Sequence, residues 1–126
     1  MRLILIITFL LTSLGGFTQI TKSDFKKIFK RGETQLIAPH VTETVKLDVI
    51  ALPAFMGHTT LPAESIPKIL NSFITGTGKF AINVFNSENI EVTYQTNNRR
   101  TIFILELKDD KIYYITIIDK KYFDDI

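Results

Sequence analysis

The sequence predicts an α+β domain: a single, mainly antiparallel sheet of about five strands, four of them a C-terminal meander, packed against two helices. Three observations carry this expectation. Residues 80–119 read as four short apolar or alternating runs divided by polar turn segments, the pattern of an antiparallel meander. Residues 41–50, VTETVKLDVI, alternate apolar and polar side chains, as a half-buried strand does. Two further stretches carry apolar residues at helical spacing, at 25, 28 and 29 and at 66, 69, 70, 73 and 74.

The chain of 126 residues, 45% hydrophobic and 22% charged, has the size and composition of one globular domain rather than a disordered segment. A formal charge of +2 does not by itself call for a polyanionic partner. Cysteine is absent, which removes disulfides, thiol catalysis and zinc–thiolate sites together.

Residues 1–18 are expected to be a secretory signal peptide. Met1-Arg2 supplies a positive start, residues 3–11 are apolar apart from Thr8, and Thr12, Ser13, Gly15 and Gly16 follow. A spanning helix needs about 20 apolar residues, and this run is shorter. Cleavage between Thr18 and Gln19 would leave one domain, residues 19–126, exported to the periplasm or the medium with no integral membrane segment. The site just after Gly15 is the second choice.

In the first helix Ser23 is the expected N-cap, with Asp24 in the first turn and Gly32 as the stop. Phe25, Ile28 and Phe29 form a narrow apolar stripe. Lys22, Lys26, Lys27, Lys30 and Arg31 occupy the remainder. A solvated face over a buried stripe is preferred to attachment at an anionic surface, because three apolar anchors are few for membrane binding. Residues 33–40 are ambiguous, with Leu36-Ile37-Ala38 one reading for a short strand ended by Pro39. Residues 52–61, LPAFMGHTTL, are read as an uncharged loop tucked onto the core, and Phe55, Met56 and His58 make it a candidate binding segment. Ser65 then caps the second helix, with Pro67 in its first turn. Burying Ile66, Ile69, Leu70, Phe73 and Ile74 would contribute on the order of 8–15 kcal/mol before chain entropy is counted.

Turn lengths set the faces of the meander, because the side-chain period is two. A two-residue Asn97-Asn98 turn pairs Tyr94 with Thr101, Val92 with Phe103 and Ile90 with Leu105. A three-residue loop, Asn86-Ser87-Glu88, pairs Val84 with Ile90, Ile82 with Val92 and Phe80 with Tyr94, which keeps Asn83 out of the core. A two-residue Asp109-Asp110 turn extends the pattern to Leu107 with Ile112, Leu105 with Tyr114 and Phe103 with Thr116. The second helix should cover that face. The opposite face would then carry Ile102, Ile104, Tyr113, Ile115 and Ile117, an apolar patch that needs cover. The first helix is the expected cover; a second subunit or an apolar ligand is the alternative.

No cofactor or metal site is expected. His40 and His58 stand 18 residues apart without a metal-ligand spacing, and Gly76-Thr77-Gly78-Lys79 only mimics a phosphate loop. Arg99-Arg100 and Lys120-Lys121 form a basic edge without interleaved aromatics, so no nucleic-acid partner is expected. The functional expectation is a non-enzymatic binding module whose partner is a protein, a second copy or an apolar ligand. It would use Ile102, Ile104, Tyr113, Ile115 and Ile117 or the segment of Phe55, Met56 and His58. The alternatives are a small hydrolase or lyase built on His58 and His40, and attachment to an anionic surface through the lysine-rich helix.

Overall fold

In the computed structural model residues 20–52, 55–74 and 77–121 are described. The segment 1–18 expected to be a signal peptide, the Gly76 helix stop and the tail 122–126 lie outside them. Among the described residues the order is α1 (Lys22–Arg31), a 3₁₀ helix (Thr34–His40), β1 (Val41–Leu52), β2 (Phe55–Pro62), a 3₁₀ turn (Ala63–Ser65), α2 (Ile66–Asn71), β3 (Lys79–Phe85), β4 (Asn89–Thr96), β5 (Arg99–Lys108) and β6 (Lys111–Lys121). The strands form one six-stranded sheet in the order β2-β1-β6-β5-β4-β3. Only β1 and β6 run parallel. The α+β class and the mainly antiparallel sheet are as expected; the strand count is six, not five. The added strand is β2, which replaces the loop expected at 52–61. Its backbone pairs with β1 without interruption from Thr44–Pro62 to Ala51–Phe55. An apolar, uncharged segment beside a strand satisfies its backbone by pairing, and this one does so as a sheet edge.

α1 begins two residues earlier than the sequence suggests. Thr21, not Ser23, is the N-cap: its hydroxyl accepts from Asp24 N–H (3.1 Å), and the Asp24 carboxylate accepts from Thr21 N–H (2.8 Å). This is a reciprocal capping box. Gly32 ends the helix at φ 73°, a left-handed conformation that glycine adopts without a Cβ penalty. Ten residues would be a marginal helix alone. Burial of Phe25, Ile28 and Phe29, none more than 2% exposed, stabilises it by about 5–9 kcal/mol before entropy.

Residues 34–40 form a 3₁₀ helix instead of a strand, tied to α2 by the Thr34 hydroxyl donating to Asn71 Oδ1 at 2.9 Å. α2 is shorter than the expected stripe, because the chain tightens after Asn71: Phe73 N–H bonds Leu70 O at 3.0 Å. Ile66, Leu70 and Ile74 are nevertheless buried, and Ile69 and Phe73 pack at the core margin. Ser65 does not cap with its side chain, since the preceding 3₁₀ turn runs directly into the helix.

The β4–β5 register is the one the Asn97-Asn98 turn predicts, with Ile90, Val92 and Tyr94 opposite Leu105, Phe103 and Thr101. Asp109 and Asp110 both adopt positive φ, 53° and 63°, as a two-residue type I′ turn requires. Bulges change the other two registers. In β3, Phe80–Tyr94 and Ile82–Val92 pair as expected, but Phe85 rather than Val84 meets Ile90. Phe85 thereby reaches Phe25 edge-on at 6.1 Å, Val84 is left exposed, and the Asn83 amide donates to the Thr93 hydroxyl at 2.6 Å.

In β6 a break lies between the Leu107–Ile112 and Glu106–Tyr114 pairs, leaving Tyr113 as the extra residue. Beyond it Leu105 meets Ile115 and Phe103 meets Ile117, in place of the expected Tyr114 and Thr116. Ile115 and Ile117 are 1% and 0% exposed, so the expectation that they lie on the outer patch is corrected. The unbulged register would bury Thr116 in an apolar core.

Both α-helices lie on the same side of the sheet. Phe29 of α1 packs against Phe103, Phe80 and Tyr94 at 5.1, 5.7 and 6.0 Å between ring centres, and Phe73 meets Phe103 from the α2 side at 6.3 Å. α1 therefore shares one core with α2 and, contrary to the expectation from sequence, does not cover Ile102 and Ile104. Its aromatic stripe finds four aromatic partners there, where the other face offers aliphatic and charged groups.

Candidate functional site

The helix side of the sheet is filled by protein. At its far end Arg99 donates twice to Asp119, Nε to Oδ1 at 2.7 Å and Nη2 to Oδ2 at 2.8 Å, and the Thr101 hydroxyl adds a bond to Oδ1 at 2.9 Å. The Arg99 guanidinium lies 5.3 Å over the Phe73 ring. The carboxylate hydrogen bonds hold the Arg99 pKa above its ordinary value. Gly78 approaches so closely that an added Cβ would stand 2.7 Å from Gln95 O and from the Tyr94 ring. Its N–H donates to the buried Tyr94 hydroxyl at 2.9 Å. These groups are satisfied by one another, as a closed core requires.

The other side carries no α-helix among the described residues, and the registers order its side chains in rows. Ile50 pairs with Ile118, and Ile118 with Ile102. In the adjacent row His58 pairs with Asp48, Asp48 with Thr116, Thr116 with Ile104 and Ile104 with Glu91. The next row brings Lys46, Tyr114 and Glu106 together. Beyond the isoleucine row stand Lys120, Arg100, Gln95 and Lys79. Ile50, Ile102, Ile104 and Ile118 are each half-buried. The face is thus an apolar centre with a basic row on one flank and a mixed, carboxylate-bearing pair of rows on the other.

A hydrogen-bonded trio adjoins the apolar centre. Asp48 Oδ1 contacts His58 Nδ1, and Asp48 Oδ2 accepts from the Tyr114 hydroxyl. Three neighbouring strands supply one residue each. The Tyr114 hydrogen bond first, and His58 second, hold the Asp48 carboxyl below the usual carboxylate range. The carboxylate in turn raises the Tyr114 phenol above its ordinary value. His58 is mostly exposed, with 64% of its side chain open, so its Nε2 is presented to solvent on an imidazole oriented through Nδ1. That arrangement suits hydrogen bonding to a docked group. Among the described hydrogen bonds the hydroxyl reaching the pair is that of Tyr114, already committed to Asp48, so the trio lacks an activated nucleophile.

The structure does not bring the two histidines together. His40 ends the 3₁₀ helix before β1, while Asp48, the partner of His58, lies seven residues beyond Val41. At roughly 3.3 Å per strand residue the two imidazoles are on the order of 20 Å apart. Burial pushes the His40 pKa down, with Asp24 pulling it up and Lys111 adding to the depression. Ile102 and Ile104 stand on the helix-free face, whereas Tyr113 is the bulge residue, its ring edge-on to Tyr114 at 6.4 Å. Phe55 and Met56 lie in β2 rather than a loop, and their side chains are outside the described part. Sequence reasoning missed Asp48 and Ile50, which β1 alternation places on the wet face, and Tyr114 and Ile118, which join it only once the bulge is known. Among the described residues no group of three or more His, Cys, Asp or Glu converges to hold a metal ion, and no helix is long and apolar enough to cross a membrane. A shallow polar groove of about 400 Å³ lies at the β3–β4 edge, lined by Thr77, Lys79, Thr93, Gln95 and Asn97 among others; it contains neither histidine.

The six-stranded mixed sheet with its helices on one face is similar in fold to solved proteins described as NTF2-like or cystatin-like. It superposes on an NTF2-like protein of unknown function from Mesorhizobium loti with a TM-score of 0.55, at 14% identity over 76% of this chain and 84% of that one. A bacterial protein with a cystatin-like fold from Silicibacter pomeroyi gives 0.55 at 14% identity, over 79% and 73%. A DUF4783 family protein from Bacteroides ovatus gives 0.51 at 19% identity, over 83% of this chain and 98% of that chain. No protein-family model matches the chain, and no curated protein does. At these identities the likeness is one of fold.

Proposed function

We propose that this is an exported, non-enzymatic interaction module whose helix-free sheet face docks another protein surface, a second copy of the chain being the occupant that fits it best. The observation that carries this reading is the half-buried apolar centre of Ile50, Ile102, Ile104 and Ile118, which no described helix covers, beside the His58–Asp48–Tyr114 trio. Sheets in small domains normally present polar side chains on a solvated face, and a contiguous apolar group there marks an interaction surface. A tyrosine and a histidine held by a carboxylate at its margin supply oriented polar contacts, as interface rims do.

The charge order favours a second copy. With a two-fold axis lying in the interface, parallel to the rows and midway between the isoleucine row and the Asp48 row, Arg100 of one copy falls over Glu106 of the other. Ile102 meets Ile104 at the centre. Such an interface is self-complementary. Five strands spaced about 4.8 Å apart and four rows about 6.7 Å apart give a footprint near 500 Å² per copy. The total, about 1,000 Å², is the size of a weak, reversible interface.

Sedimentation velocity on the wild-type chain and on Ile104→Lys and Ile118→Lys tests the reading. A concentration-dependent dimer that both replacements convert to a folded monomer is expected. A wild-type monomer at high concentration rules out the second copy, and a dimer indifferent to both replacements rules out this face.

A further inference from the structure

We infer that the outward side of α1, on the opposite side of the sheet from that face, is a docking surface for an anionic lipid bilayer. Lys22, Lys26 and Lys30 form one i, i+4 row and Lys27 and Arg31 the next, all exposed. The five cations occupy about 14 Å of helix. Lys22–Lys26, Lys26–Lys30 and Lys27–Arg31 are like-charged i, i+4 pairs, each of which weakens a helix. A merely solvated face would interleave glutamates at this spacing, and this one has none. Its carboxylate, Asp24, is engaged in the capping box, and Glu33 beyond the helix stands 3.9 Å from Arg31 with both side chains largely open. Among the described residues Lys26, Lys27 and Lys30 have no ion-pair partner.

The core decides how such a surface can act. Phe25, Ile28 and Phe29 are consumed by the domain interior, so α1 offers charge without an apolar face to insert. Adsorption is then electrostatic and falls with salt. Exposed aromatics for base stacking are missing from the row, which disfavours single-stranded nucleic acid. Two adjacent rows of cations on one outward helix face meet a planar anionic surface together, the geometry in which a basic cluster reads lipid headgroups.

The test uses the full chain with vesicles of phosphatidylcholine alone and of phosphatidylcholine mixed with phosphatidylglycerol, so that any affinity of the apolar run at residues 3–11 is common to both. Preferential sedimentation with the anionic vesicles at low salt, abolished at high salt, is expected. Lys26→Glu with Lys27→Glu, both at exposed positions, should weaken it about 25-fold or more, at roughly fivefold per lysine. Lys108→Glu, at an exposed position beside the β5–β6 turn, should leave it unchanged. Equal binding to both vesicles overturns the inference, as does indifference to the double replacement or an equal effect of Lys108→Glu. Soluble polyphosphate competing as well as anionic vesicles would assign the surface to soluble polyanions and overturn the bilayer as its occupant.

Discussion

The placement of α1 against the inner core can be measured as a coupling energy. Phe29 is 2% exposed, and its ring meets Phe103 at 5.1 Å with planes inclined at 68°, an edge-to-face contact. Phe29→Leu and Phe103→Leu keep apolar volume in place, so each should cost about 1–2 kcal/mol, less than the 3–5 kcal/mol of a truncation to alanine. A domain of this size has roughly 5–15 kcal/mol to lose, so the double variant should remain folded. The contact disappears in either single variant, and the cycle should therefore show about 0.5–1.5 kcal/mol of coupling. Urea denaturation, with slopes unchanged across the set, is the assay. Ile104→Val serves as the control, because Ile104 points to the other face; with Phe29→Leu it should add within about 0.5 kcal/mol. Coupling of Phe29 to Ile104, and none to Phe103, would mean that α1 covers the outer face and that the assigned core is wrong.

Asp119→Asn should destabilise the domain by about 1–3 kcal/mol. It removes the carboxylate from a buried position where Arg99 and Thr101 converge, and the partial exposure of Arg99 reduces the loss below that of a fully buried pair; an unchanged urea midpoint would contradict it. Tyr114→Phe should move the Asp48 carboxyl titration, followed by NMR, up toward its ordinary range. Because the Asp48 pKa is depressed in the fold, its stabilising contribution is present above about pH 3.9 and is lost as pH falls through the folded value. His40 acts in the same direction in a higher pH window: its folded pKa is lowered by burial, the unfolded chain binds the proton first, and stability should decline as pH drops below about 6.5. A His40 resonance titrating above that value would refute the burial assignment. Gly78→Ala should cost about 1–3 kcal/mol through collision with Gln95 O and the Tyr94 ring, visible as a lower thermal midpoint.

The fold assigns the two sides of the sheet different tasks. Arg99, Asp119, Tyr94 and Phe103 close the helix side, while α1 turns its cations outward from it. The helix-free side keeps four isoleucines beside a polar trio. Among the described residues the polar and charged groups are therefore spread over surfaces rather than gathered around the two histidines, which stand far apart.

By itself the sequence determined what depends on neighbours a few residues away. The stripe of Phe25, Ile28 and Phe29, the alternation of Val45 and Leu47, and the turns at Asn97-Asn98 and Asp109-Asp110 are local properties of period and turn chemistry. The β4–β5 register followed from them directly. The strand β2 was not legible, because Gly57 and the flanking prolines resemble a loop and only the pairing with β1 makes Phe55–Pro62 extended. The candidate face was read half correctly: Ile102 and Ile104 stand on it, but Ile115 and Ile117 do not. A single extra residue, Tyr113, reverses the phase of everything after it, since the side-chain period is two. Tertiary structure alone decided that bulge, the parallel contact of β1 with β6, and the side on which α1 lies. Each is settled by burial between segments distant in sequence, where Thr116 must stay out of the core and Phe29 must reach Phe103, and no local period carries that information.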